Sequence, residues 1–574
     1  MTAPPTGTRH EPVPGRWFGP PERPLMGWWH AAGRQQGVVV LPAVGYGYWT
    51  GHRTLRVLAE ALAARGVSVL RVDYDGTGDS AGTLAEPDRW AALQDSARHA
   101  VQELRDAGVQ QVQLVGLGMG ATVALTVAAQ LDVAGVVAWD PVVQGRRWRR
   151  ELKLLGLAVP DVDGPLHDVL HGALVHAGTV FTAQTVADVG AVDLRRLPAA
   201  PAPRVLVLSR PERPEAELVE HLGALGVDVT HLTEPGTELA LDVPTEDAVV
   251  PEHLVEALVG WAADPTLAGV PADDWLAGRG RTDVVLDWDG GQVHEQVRVL
   301  GERRLTGVLG RPVASEGAAG GAAGAAGGAA GDHPLVLFVN SGSEHHVGPG
   351  RAWVEYSRWL NLHGYPTLRL DFTGWGESPD GGLAPGRPYD AHGVDDLRDV
   401  VPALRAAGWP SVVVVGVCAG AWIAMDAARQ LPLAGLVALN PQLYWQRGDP
   451  VIALMKDTRI ARTPQRLREE RLARWHVWSV LDAVGVRHPA ARWLARLRRQ
   501  KVPVLMLFAE GDDGIEHLRT RLSRALRRER RHGVVRTAEL AGIDHAMHRT
   551  WLRGQVTDAL LAFLRALPRY GGPA

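Results

Sequence analysis

VVVVGVCAGAWIAM, Val412–Met425, places four valines ahead of a Gly-x-Cys-x-Gly turn and a run of helix-compatible residues. A continuous apolar run rich in β-branched residues reads as a strand buried on both faces. The glycines have a steric reason. Where a strand turns at once into a helix, no room is left for β-carbons beside the central residue, whose side chain is lifted above the sheet. The stretch therefore predicts strand, strained turn and helix, with Cys418 at the apex and at a helix N-terminus, where the helix dipole favours a thiolate. The plainer alternative is one more buried free cysteine.

Working outward, VQLVGLGMGATVAL (Val112–Leu125) repeats the pattern at an offset of 300, and Asp140-Pro141 matches Asn440-Pro441 at that same offset. Upstream, the stretch from Gly37 to Gly82 and the stretch from Pro334 to Asp380 share one order: apolar strand, glycine-bearing loop, amphipathic helix, strand ending in Asp, Gly-x-Gly turn. Asp73 falls on Asp371 there, an offset of 298. So constant an offset predicts a duplicated domain, too long for a solenoid repeat. Gly27 and Gly307 match at only 280, and the 18-residue difference from 298 equals the tract 314–331, ASEGAAGGAAGAAGGAAG. That tract has no packing side chains and reads as a flexible loop inserted in the second unit. The boundary is placed between 265 and 266, giving units 1–265 and 266–574. Alternating strands and helices predict an α/β fold in each, a mostly parallel sheet covered by helices on both faces. A hairpin-like pair leads the second unit, and helix-rich stretches after Asp140 and Asn440 read as caps inserted after the sixth strand, that of unit two spanning about 441–501.

Composition narrows the function. The 574 residues are 46% hydrophobic and 22% charged with a net charge of −4, so no overall field points to nucleic acid or membrane. The 60 basic residues include only three lysines, a skew that reads as codon bias. One cysteine excludes an intrachain disulfide and a cysteine-built zinc site, and no metal or cofactor is expected. The opening MTAPPTGTRHEPVPG lacks the regions of a secretory signal, and no window nears the ~18 apolar residues of a membrane span. The expectation is a cytoplasmic protein.

Partners for Cys418 follow in chain order. The strand VPVLMLF leads to Ala509-Glu510-Gly511-Asp512-Asp513, and RTAEL leads to Ala541-Gly542-Ile543-Asp544-His545. His545 would take the thiol proton, and Asp512 would fix its tautomer, with Asp513 as the alternative acid and His548 a weaker alternative base. Oxyanion donors are expected from the N–H of Ala419 and from the loop after the first parallel strand, at Gly342 or Ser343. His345, His346 and Arg351 just beyond read as loop packing or substrate contacts. In the first unit Gly118 occupies the nucleophile position, Glu212 or Arg213 the acid position, and Glu238 or Leu239 the histidine position. Hydrolysis by that unit is not expected. Gly116 to Ala121 also fits a Gly-x-Gly-x-x-Ala dinucleotide fingerprint, but it follows at least two earlier parallel strands, and the repeat accounts for it as an elbow without a nucleophile.

On these residues both halves resemble the α/β-hydrolase superfamily. The Gly-x-Cys-x-Gly elbow with later Asp and His is similar to dienelactone hydrolases and polyhydroxyalkanoate synthases. NSGSEHHVGPGR, TLRLDFTGWGESP and FAEGDDGIEHL look like serine-aminopeptidase-type and exosortase-associated hydrolases, which normally carry Ser at the elbow. The resemblance implies acyl chemistry on a small-molecule substrate, an ester, lactone or thioester, through an acyl-enzyme on Cys418. It equally admits transfer of that acyl group, and a non-catalytic binding protein is the third reading. The segment 441–501 holds 12 Arg and 2 Lys against 5 acidic residues. These read as solvated helix faces or, by analogy, as a site for CoA or an acyl carrier protein.

Overall fold

The apolar runs form the strands of two large sheets in the computed structural model, which describes residues 11–159, 170–267, 280–313, 333–382, 389, 392–443 and 489–568. In the first half the strands are β1 (Gly15–Phe18), β2 (Leu25–His30), β3 (Gln36–Leu41), β4 (Ser68–Val72), β5 (Gln111–Leu117) and β6 (Gly135–Trp139). A small sheet follows, β7 (Leu157–Ala158), β8 (Leu174–His176) and β9 (Thr179–Phe181), then β10 (Arg204–Ser209) and β11 (Asp228–Thr233). The large sheet runs β1-β2-β4-β3-β5-β6-β10-β11. It is parallel from β4 to β11, with β1 and β2 antiparallel at one edge.

The second half has β12 (Asp283–Trp288), β13 (Gly291–Leu300), β14 (Leu305–Pro312), β15 (Leu335–Phe338), β16 (Thr367–Leu370), β17 (Val412–Val417), β18 (Gly435–Leu439), β19 (Val504–Ala509) and β20 (Val535–Leu540). Their order, β12-β13-β14-β16-β15-β17-β18-β19-β20, repeats the first sheet with one strand added at the front. The leading ribbon thus has three strands where a pair was expected. Asp289 and Gly290, both with positive φ (45° and 76°), make the tight turn joining β12 to β13. The extra strand also moves the insertion in this half to after the seventh strand, whereas in the first half it follows the sixth.

Small features repeat too. Arg98 bonds Asp95 and Gln130, while Arg398 bonds Asp395 and Gln430, each pair at the 300-residue offset. Every residue of β3 and β17 is buried, as continuous apolar strands between two helical layers must be. By packing the chain divides into compact units at Val297/Arg298. We keep 265/266 as the proposed boundary of the duplicated units, since the helix Glu252–Ala262 closes the first sheet and β12 opens the second.

The helix-rich insertion of the first half also carries β-structure. In the first half the helix Gly145–Leu155 is joined by the antiparallel sheet β7-β8-β9. In the second half residues 444–488, like the tract 314–331, lie outside the described residues, and the described part is the helix Pro489–Arg499. Leu494 and Leu497 of that helix are fully buried. Two of its four arginines have partners within the protein: Arg496 Nε donates to the Arg429 carbonyl and Arg498 pairs with Glu529 at 3.0 Å. Among the described residues no helix is long and apolar enough to cross a membrane.

Candidate active site

Cys418 stands between β17 and the helix Ala419–Ala428 with φ 51° and ψ −114°, a conformation that costs a non-glycine residue roughly 1–3 kcal/mol. Sequence dictates this locally. A β-carbon added at Gly416 would press on the backbone of Gly420, and one at Gly420 would run into the Asn340 carbonyl oxygen. Gly118 holds the same pose in the first half, φ 58° and ψ −119°, where glycine bears little of that strain.

His545 lies in the turn after β20, and its Nδ1 is 2.6 Å from Asp512 Oδ2. Asp512 caps the helix Asp513–Arg521 by accepting the Gly514 N–H at 2.7 Å, which leaves its other oxygen for the ring. Of the two carboxylates left open by the sequence, Asp512 therefore meets His545, and Asp513 is the exposed first residue of the helix. His548 faces Asp544 at 3.3 Å instead. The His545 turn is braced from two sides. Asn440, at the end of β18 with φ 46°, donates to the His545 carbonyl at 2.6 Å and accepts from the Ala509 N–H at 2.7 Å. Arg553 Nε holds the Met547 carbonyl at 3.0 Å.

Burial opposes a charge on His545, but the hydrogen bond to Asp512, then the hydrogen bond and charge of Cys418, push the ring up to about 10. The same geometry thus couples acid, imidazole and thiol. The half-buried sulfur also lies 3.4 Å from the phenol oxygen of Tyr389, a residue the sequence reading did not single out. Nor was the bracing role of Asn440 foreseen; its match to Asp140 across the repeat was the available signal.

Ala419, one of the expected oxyanion donors, directly follows Cys418. Ala419 opens its helix, where backbone N–H groups have no intrahelical acceptor. The loop bearing Gly342 (φ 56°) and Ser343 begins at Asn340, whose carbonyl sits against Gly420. His346 and His345 pack behind this loop, not on its surface. His346 Nδ1 lies 2.7 Å from Asp371 Oδ2, with both side chains fully buried. Burial works to raise Asp371, yet the charge and hydrogen bond of His346 and the charge of His345 bring it down to about 2. Asp371 also accepts from Asn340 Nδ2 and the Glu377 N–H, so it organises two loops at the sheet edge.

In the first half the corresponding places hold different chemistry. Arg210, just past β10, pairs with Asp140 at 2.7 Å and also with Asp242, and Arg213 reaches Asp140 at 3.5 Å. Glu238 folds back onto the Gly236 N–H, and Leu239 is 47% exposed. Among the described residues no cluster suited to a metal ion occurs.

Two family models match the chain, an alpha/beta hydrolase family over residues 336–556 and the serine aminopeptidase S33 family over residues 38–173. The chain belongs to the α/β-hydrolase superfamily, with a unit of that fold in each half, and is an enzyme of the hydrolase class. Among solved structures it is similar to Est1E from Butyrivibrio proteoclasticus, at 15% identity over 44% of this chain and 98% of that one, with a TM-score of 0.32. It is also similar to a brefeldin A esterase described as a bacterial homologue of human hormone sensitive lipase, at 18% identity over 46% and 80%, TM-score 0.33. A third is the thioesterase domain from the curacin biosynthetic pathway, at 13% identity over 44% and 98%, TM-score 0.29. No curated protein matches the chain in sequence.

Proposed function

We propose that the second unit is a cysteine-dependent acyl hydrolase acting on an ester, lactone or thioester, with Cys418 as nucleophile, His545 as base and Asp512 as its orienting acid. The observation that carries this reading is the 2.6 Å Asp512–His545 hydrogen bond, on a ring that also hydrogen-bonds Cys418. Cys418 passes its proton to His545, and the thiolate attacks the acyl carbon. The carbonyl electron pair moves onto oxygen, stabilised by the Ala419 N–H and by the loop at Gly342 or Ser343. Collapse breaks the bond to the leaving group, which takes the proton from His545. Water, deprotonated by the same imidazole, then releases the acid and regenerates the thiolate. A thiolate suits activated acyl groups better than unactivated amides, which favours esters and thioesters. The first unit, with Gly118 at its elbow and Arg210 in a salt-bridge network, serves as a non-catalytic partner domain. A cytoplasmic location, where thiols stay reduced, would keep such a nucleophile active.

The test is labelling with a β-lactone probe followed by product analysis. Cys418→Ala and His545→Ala are both expected to abolish labelling, and free acid is the expected product even when amines or alcohols are added. Labelling that survives His545→Ala reduces Cys418 to an exposed thiol. Acyl transfer to the added nucleophile, or to CoA or an acyl carrier protein, makes the enzyme a transferase.

A further inference from the structure

One more polar group touches the sulfur. Tyr389 lies between β16 and the helix His392–Ala406, with its phenol oxygen 3.4 Å from Cys418 Sγ. That oxygen donates to Gln442 Oε1 at 2.7 Å, and Gln442 lies just past β18. The Tyr389 ring is only 8% exposed and packs edge-on against Trp422 in the helix that starts at the elbow, centroids 6.0 Å apart at 82°. Trp422 in turn meets Trp493 of the helix Pro489–Arg499 at 5.6 Å. The phenol is therefore fixed by aromatic packing, with its hydroxyl between a thiol and an amide.

The duplication supplies an internal comparison. At the 300-residue offset that pairs Arg398 with Arg98, Cys418 falls on Gly118 and Gln442 on Val142, and Tyr389, in the interval where the offset passes from 298 to 300, falls on Ala91 or Arg89, neither a tyrosine. Arg89 turns to Asp75 at 2.5 Å, and Val142 carries no polar side-chain atom. Thiol, phenol and amide are thus present together in one unit and absent together in the other. A purely structural tyrosine has no reason to follow the nucleophile in this way.

We propose that Tyr389, backed by Gln442, is a catalytic hydrogen-bond donor that stabilises the Cys418 thiolate, an inference that rests on the nucleophile assignment above. A phenol both donates and accepts, and an amide offers either an oxygen or an NH₂. While the sulfur is protonated, S–H donates to the phenol and the phenol O–H to Gln442 Oε1. When His545 takes the thiol proton, the phenol O–H turns to the sulfur, and the amide, turned end for end, donates to the phenol oxygen. Only rotations are needed. No covalent bond breaks in Tyr389 or Gln442, and neither loses a proton. The donor acts twice in a turnover: it favours the thiolate before attack and again when the acyl-enzyme expels that thiolate.

Tyr389→Phe removes only the hydroxyl and keeps the ring on Trp422, and Gln442→Leu removes the backing amide. Because the chain has a single cysteine, iodoacetamide alkylation read by intact mass reports Cys418 alone. Both variants are expected to move the pH midpoint of alkylation up by about one unit, and to lower kcat about tenfold with little change in KM. If Tyr389→Phe does not fold, Gln442→Leu reads the same hydroxyl from the other side. Folded variants with the wild-type midpoint and kcat overturn the inference. Failure of the underlying reading looks different: the wild type itself then alkylates like a free cysteine and is unaffected by His545→Ala, and the role of Tyr389 falls with it.

Discussion

Asp512→Asn keeps the shape of the acid and removes its charge, and its consequence follows from the hydrogen bonds. The native carboxylate uses Oδ1 to accept the Gly514 N–H and Oδ2 to meet His545 Nδ1, and its side chain is only 6% exposed. An asparagine can still cap the helix through its oxygen, which turns its NH₂ toward Nδ1. The imidazole must then accept at Nδ1 and carry its proton on Nε2, leaving no lone pair there to receive the thiol proton. The variant also loses the carboxylate that steadies the imidazolium. A hydrogen bond to a charged group is worth about 1.5–3 kcal/mol, and wrong-tautomer losses in hydrolytic triads run to about 10⁴ in rate. A fall of about 10²–10⁴ in kcat/KM is therefore expected, or roughly 2.7–5.5 kcal/mol of transition-state stabilisation. The assay is hydrolysis of a p-nitrophenyl ester from pH 6 to 9, with alkylation of Cys418 measured alongside. Thermal unfolding should change far less, because the cap is retained. Asp513→Asn serves as the paired control and should stay within about twofold of wild type. Loss of activity on Asp513→Asn with retention on Asp512→Asn would refute the reasoning.

Two further outcomes follow from the same geometry. His545 is raised from 6.5 to about 10, so its ion-pair contribution to stability is fully present below pH 6.5 and is lost as pH climbs through 10. With 38% of the side chain exposed, solvent screening keeps that contribution on the order of 1–2 kcal/mol; urea unfolding of wild type and His545→Ala should therefore differ at pH 6 and converge above pH 10. Asn440→Ala removes the donor to the His545 carbonyl and the acceptor of the Ala509 N–H, and should cost about 1–3 kcal/mol of stability and at least tenfold in kcat; unchanged kinetics would show that the turn holds His545 without it.

Much of this protein is written in local sequence. Continuous valines ending in Gly-x-Cys-x-Gly leave a chain few options other than buried strand, strained turn and helix, and the near-constant repeat offset shows that the arrangement occurs twice. Nucleophile, acid and base also fall in order because each follows an apolar strand of a parallel sheet, and all such strands end at the same edge. What the sequence could not decide are meetings through space. Asp512 and Asp513 are neighbours with equal chemistry, and only the extended backbone at Asp512, before the helix begins, turns its carboxylate toward His545. Tyr389 reaches Cys418 across 29 residues and Gln442 across 53, along loop paths that no periodicity encodes. The β-structure in the first insertion was missed for a related reason: strands of two or three residues carry too few alternating positions to declare themselves until a neighbour pairs with them.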